Sequence, residues 1–262
     1  MRLPAVGRPV LRPVSGPGTA PGWHCSGCHL SNLCLPAGRE AYEVRQLDGL
    51  VYTRRRIPAG EALYHAGVPS KSVFAVWSGF FKSSIISEEG RIQVTGFQME
   101  AEMMGLESTE GGVNSLNVVA LTDSEVCVIP HARLEEVSAR VPWLRQQIHR
   151  VLSREIVSSH RMMMLLGTMR AEERVAAFLL AFSHRLVVLG HSSSEFDLRM
   201  GREDLASYLG LTLETVSRIL SKFDARGLLE VRKRLICILS RDGLKSIVNR
   251  IVRTPTAPPV LV

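Results

Sequence analysis

No stretch of this 262-residue chain approaches the ~18 uninterrupted apolar residues of a membrane-spanning helix, so no membrane span is expected. The first 22 residues carry Arg2, Arg8 and Arg12 among five prolines. They lack the continuous apolar segment of ~7–15 residues that a secretory signal needs, and the expected compartment is the cytoplasm. The dinucleotide-binding G-x-G-x-x-G, the metalloprotease H-E-x-x-H and the radical-enzyme spacing C-x3-C-x2-C are all missing. No pairing of a nucleophile with a base stands out either, so no enzyme is expected. Cysteine is scarce, at five residues. In a reducing compartment such thiols serve metal binding or redox chemistry more often than structural disulfides.

What cysteine there is, is concentrated. Cys25, Cys28 and Cys34 follow a C-x2-C-x5-C spacing in a Pro- and Gly-rich N-terminal region. A tetrahedral metal or an iron–sulfur cluster takes four ligands, so a fourth is sought, and Cys127 is the preferred candidate. Structural zinc is the competitor, completed by His24, His29 or Cys127. Cys25-Ser26-Gly27-Cys28-His29 also matches the C-x-x-C-H of covalent haem attachment, which belongs to exported proteins and is set aside. Cys237, inside an apolar strand, reads as a small buried hydrophobe.

The composition, 45% hydrophobic and 22% charged, is that of a globular chain long enough for two modest domains. A net charge of +7 points to a polyanionic partner. Residues 1–22 and 253–262 read as disordered tails, 23–38 as the cysteine loop and 39–50 as a short helix. Between 51 and 130, short apolar segments alternate with turns at Gly60, Gly67, Gly79 and Gly90, the pattern of a sheet-rich domain, 39–140 with its flanks. Residues 141–166 read as one long helix, opened by Pro142 and ended at Gly167. Its Leu144, Ile148, Val151, Leu152, Ile156 and Met163 recur at helical spacing and suggest a dimer seam, interrupted by Glu155 and Ser158 to Arg161.

Within 168–252, a helix over 171–189 precedes Arg202 to Leu220, which reads as helix, tight turn at Gly210, helix, with small Ala206 allowing close crossing and Val216 packing back. Leu228 to Leu239 then reads as two strands around a basic turn, a wing. Thr212 can cap the second helix, whose Glu214, Ser217 and Arg218 share one face. These side chains suit major-groove edges: Arg218 for guanine O6 and N7, Glu214 for a cytosine amine, Ser217 for either kind of group. Thr212, Lys222, Arg226, Arg232, Lys233 and Arg234 are candidate phosphate contacts on double-stranded DNA.

Four passages carry a resemblance to the Crp/Fnr superfamily of bacterial transcription regulators, and within it to the Fnr-type oxygen sensors. They are the cysteine loop; Pro58-Ala59-Gly60-Glu61-Ala62-Leu63-Tyr64-His65-Ala66-Gly67; Ala171-Glu172-Glu173-Arg174; and Gly210-Leu211-Thr212-Leu213-Glu214-Thr215-Val216-Ser217-Arg218. The resemblance implies an α+β fold: an N-terminal antiparallel β-roll, a jelly roll of the cyclic-nucleotide-binding type, then a long dimerisation helix and a C-terminal winged helix-turn-helix. It also implies a [4Fe-4S] cluster on Cys25, Cys28, Cys34 and Cys127, a DNA-binding homodimer that oxygen returns to an inactive monomer, a palindromic TTGAT-N4-ATCAA-type site read by Glu214, Ser217 and Arg218, and contact with RNA polymerase. Cyclic-nucleotide receptors of the superfamily use an arginine against the cyclic phosphate. Residues 105–120 hold neither Arg nor Lys, so no cyclic nucleotide is expected.

Overall fold

The computed structural model describes residues 24–109 and 112–248; both expected tails lie outside the described residues. Among the described residues, eight strands build the N-terminal domain: β1 (Thr53–Ile57), β2 (Ala62–Tyr64), β3 (Ser72–Ser78), β4 (Phe81–Ile86), β5 (Ile92–Gln98), β6 (Met103–Met104), β7 (Asn117–Ala120) and β8 (Ser124–Pro130). They pair antiparallel in two four-stranded sheets, β1-β8-β3-β6 and β2-β7-β4-β5. Side chains alternate across each strand, so Phe74 and Val76 of β3 and Val126 of β8 meet Phe81, Val118 and Ala120 of the other sheet in one apolar core.

The outer face of the first sheet is covered by the N-terminal residues and the helices that follow the roll. Leu35, Leu47 and Leu50 pack there with Val73, Ile129, Leu134, Val137 and Leu144. Residues 39–50, expected as one helix, divide into α1 (Ala41–Val44) and a 3-10 turn over Arg45–Leu47. Val44, Leu47 and Leu50 recur every third residue and are all buried, and three residues per turn puts such a series on one face. An unexpected helix, α2 (His131–Arg140), precedes the long one and buries Leu134 and Val137. Val141 breaks it by leaving the helical region (φ −119°, ψ 87°), as the ring of Pro142 disfavours the α conformation in the residue before it.

The long helix α3 (Pro142–Thr168) passes through Gly167, where a break was expected. The seam expected along it also changes at its N-terminal end. Leu144 is 0% exposed and belongs to its own protomer's core, with Ile148, Val151 and Leu152 packed at the edge of the same cluster. A residue with no exposed surface has none to offer a partner. Ile156 and Met163, by contrast, are 56% and 61% exposed, with Val157 and Met164 beside them.

The C-terminal domain comprises α4 (Ala171–Val188), β9 (Glu195–Asp197), α5 (Arg202–Leu209), α6 (Leu213–Ala225), β10 (Leu229–Arg232), β11 (Leu235–Ile238) and α7 (Arg241–Val248), with the strands in the order β10-β11-β9. Its core of Val175, Leu179, Phe182, Leu205, Leu209, Val216, Leu220 and Phe223 continues into Phe80, Val94, Phe97 and Met99 of the roll. Polar contacts cross the same boundary. Arg185 donates to the carboxylate of Glu102 and the carbonyl of Phe97, Lys82 pairs with Asp204, and the Ser207 hydroxyl accepts from Val94 N at 2.9 Å. Among the described residues no helix is long and apolar enough to cross a membrane.

Candidate cysteine centre and nucleic-acid interface

The cysteine loop opens with a 3-10 turn over Cys25–Gly27 and lies against the outer face of the first sheet. Its apolar side chains Leu30 and Leu35 are buried, while Ser26 ties it down by donating from its backbone N (3.1 Å) and its Oγ (2.7 Å) to the carboxylate of Asp48. Cys127 stands in the middle of the seven-residue β8 and faces the loop. Its register neighbours are Arg54 on β1 and Ala75 on β3.

Cys25, Cys28, Cys34 and Cys127 line one partly open cavity of about 40 Å³. All five cysteines of the chain are free thiols, and Cys237 lies apart from the four, half-buried on β11. Burial is the main cause that pushes Cys25 and Cys34 up to about 12, and the neighbouring thiols raise them further. Burial also raises Cys127, against which Arg54 pulls by hydrogen bonding and charge. Among the described residues no three His, Cys, Asp or Glu side chains stand together tightly enough to hold a metal ion. The thiols thus share a cavity without already closing on a single point.

Arg54 and Trp77 were not foreseen from the sequence. Trp77 also lines the cavity, with the Arg54 guanidinium 4.3 Å from its ring centroid and the His29 ring edge-on at 5.3 Å. Its Nε1 is buried with no acceptor among the described residues. The strand register across from Cys127 was the missing signal, since it depends on how β1 and β8 pair.

At the other end of the molecule, Gly210 takes φ +61° between α5 and α6, a left-handed conformation that only glycine adopts freely. A Cβ there would also come within 3.2 Å of Leu166 Cδ2. Thr212 caps α6, its hydroxyl accepting from Thr215 N at 3.2 Å. Glu214 and Arg218 are exposed and Ser217 is half-exposed, one turn or less apart. The Glu214 backbone and the Thr212 hydroxyl hold the Glu214 carboxyl below the usual range, so it is an acceptor near neutrality. The strands β10 and β11 close on a two-residue turn in which Lys233 itself takes φ +58°, presenting Arg232, Lys233 and Arg234 to solvent. Three of the cations expected for phosphates are engaged within the protomer: Lys222 bonds to Glu172, with Arg226 4.0 Å from the same carboxylate. Arg232 pairs with Glu230.

The Cyclic nucleotide-binding domain family matches residues 54–140 and the Crp-like helix-turn-helix domain family matches residues 173–247. The transcriptional regulatory protein btr of Bordetella pertussis is 44% identical over 87% of this chain and 94% of its own length. The chain belongs to the Crp/Fnr family. The fumarate and nitrate reduction regulatory protein of Escherichia coli K12 is 39% identical to this Crp/Fnr chain over 90% of it and 93% of that protein. Among solved structures, FixK2 from Bradyrhizobium japonicum superposes with a TM-score of 0.69 at 30% identity, over 74% of this chain and 96% of that one. Crp/Fnr proteins are DNA-binding, dimeric transcription regulators, and this member is a regulator of that type rather than an enzyme. The roll, long helix and helix-turn-helix described above are the family's architecture.

Proposed function

We propose that this chain is an oxygen-responsive regulator of the Fnr type, in which Cys25, Cys28, Cys34 and Cys127 hold a [4Fe-4S] cluster. The observation that carries the reading is the convergence of all four thiols on one cavity whose wall is continuous with α3: Cys25, Cys34 and Cys127 pack against the same apolar cluster as Leu144, Ile148, Val151 and Leu152. When bound, the cluster supplies iron–sulfide chemistry that oxygen attacks. The residues fit such a group, being four soft sulfur donors on a partly open cavity, with an indole N–H lacking an acceptor. Zinc asks for more closure, because thiolates 2.3 Å from one ion lie about 3.8 Å from each other. Four thiols that border a cavity without forming a single-ion group favour the larger cluster.

The consequence runs through packing. Ligation gathers the cysteine loop onto β8, and the shared cluster transmits that order to the first half of α3. The exposed Ile156 and Met163 further along are then the seam of a homodimer. In the dimer, two copies of α6 read a palindromic TTGAT-N4-ATCAA-type site, with Arg218, Glu214 and Ser217 on base edges and Thr212, Lys222, Arg226, Arg232, Lys233 and Arg234 near phosphates. The protein works in the cytoplasm, controls genes of anaerobic metabolism and contacts RNA polymerase. It does so without a cyclic nucleotide, since residues 105–120 offer no cation to a buried cyclic phosphate.

Anaerobic purification tests the reading. A brown protein with about four iron and four sulfide per chain is expected, together with loss of dimer and operator affinity in air. A colourless protein with one zinc, or a dimer whose DNA affinity survives cluster loss, would overturn it.

A further inference from the structure

We infer that Arg54, held by Trp77, is the residue that compensates the charge of the four-cysteine centre; the inference rests on the reading that these thiols bind a metal group. Four thiolates around a doubly positive core, whether an oxidised [4Fe-4S] unit or a zinc ion, leave two negative charges in a cavity walled by Leu30, Leu35, Val76 and Ile129. An anion in such surroundings is costly unless a cation or directed donors stand beside it. Among the described residues lining the cavity, Arg54 is the only arginine or lysine.

Its placement follows from the sheet. Arg54 and Cys127 are direct cross-strand partners on β1 and β8, so both side chains leave the same face of the sheet. Trp77 sits where the β3–β8 register shifts between Val76 and Ser78, lines the same cavity as Arg54 and Cys127, and its ring lies under the guanidinium at 4.3 Å. A guanidinium stacked in this way is fixed in place, unlike a lysine ammonium on its flexible stem. Trp77 also meets His29, edge-on at 5.3 Å, which belongs to the cysteine loop and follows Cys28 directly. Trp77 therefore both orients the cation and receives the loop, while its acceptor-free Nε1 offers a further donor to sulfur. Arg54 is a positioning and charge-balancing residue, one step outside the ligand set.

The test compares wild type, Arg54→Gln, Arg54→Lys and Trp77→Phe as full-length chains reconstituted anaerobically, with thermal melts of the metal-free proteins as the control for folding. Residues that support metal ligands from the next layer out commonly change metal affinity by about 10–100-fold when lost. Arg54→Gln is expected to surrender iron to a chelator with an affinity weakened about 10–100-fold and to have a lower midpoint reduction potential, because the added electron meets an uncompensated anion. Arg54→Lys recovers most of both losses. Trp77→Phe keeps the stacked cation and changes the visible spectrum more than the retention of iron. Wild-type potential and iron retention in Arg54→Gln would overturn the inference. If the wild type holds zinc alone, the oxygen-sensing reading fails, and Arg54 is then judged by zinc affinity: a fall of about 10–100-fold upholds it, and an unchanged affinity overturns it. A wild-type protein that binds no metal overturns both.

Discussion

Arg174, in the first turn of α4, donates from Nη1 to the carbonyl of Leu209 at 3.0 Å, at the last residue of α5 before the Gly210 turn. The same guanidinium donates to Leu166 O at 2.7 Å and Met169 O at 2.9 Å. One charged side chain thus satisfies the orphan carbonyls at the end of α3 and those at the turn of the helix-turn-helix. This also explains why α3 runs through Gly167, since its terminal carbonyls are capped from outside. Replacing Arg174 with Met should cost about 3 kcal/mol, given hydrogen bonds from a charged donor to half-buried acceptors. Operator affinity should fall along with the melting temperature. A variant that melts earlier but binds DNA as wild type would show that the clamp serves stability alone.

The seam assignments separate by substitution. Leu144→Ala removes a fully buried side chain and should destabilise the protomer by about 2–5 kcal/mol in chemical denaturation. Ile156→Glu, on an exposed surface, should leave the protomer's stability within about 0.5 kcal/mol of wild type and shift sedimentation from dimer to monomer. A dimer that persists in Ile156→Glu would move the interface elsewhere.

Base and phosphate contacts differ in what their loss does. Arg218→Ala should lower discrimination at one guanine position by about 1–3 kcal/mol, read by competition between operator variants. Equal weakening on every sequence would reassign Arg218 to a phosphate.

Glu172 occupies Lys222 and approaches Arg226 in the free protein. Glu172→Gln frees both cations for phosphate, so affinity should rise on all sequences alike, and the salt dependence should steepen by about one to two counterions. Lys222→Ala should do the reverse. An affinity that depends on sequence in either variant would contradict the phosphate assignment.

The raised cysteines give a pH dependence of known sign. Cys25 and Cys34 titrate at about 12 in the fold against an ordinary 9.0, so the folded metal-free chain holds their protons more tightly than the unfolded one. Their contribution is present below pH 9 and is lost as the pH climbs toward 12. Denaturation of the metal-free protein between pH 8 and 11 should show this loss, and Cys25→Ser with Cys34→Ser should reduce it. Metal uptake has the opposite trend near neutrality, since each ligating thiol must release its proton.

Much of this protein is local and was therefore legible in the sequence. Gly210 and Val216 specify a helix-turn-helix because a left-handed turn and a fixed helical offset need no knowledge of distant residues. The wing follows from two short apolar runs around basic residues, and the three loop cysteines from their spacing. What depended on distant pairing was not legible. Antiparallel register set Arg54 opposite Cys127, and the register shift in β3 between Val76 and Ser78 falls at Trp77, whose ring lies against the Arg54 guanidinium. The packing of α2 and of the 3-10 turn against the outer sheet turned Leu144 from an expected seam residue into core. A periodic apolar stripe reports that a face is buried, and only the tertiary structure decides whether its own chain or a second copy does the burying.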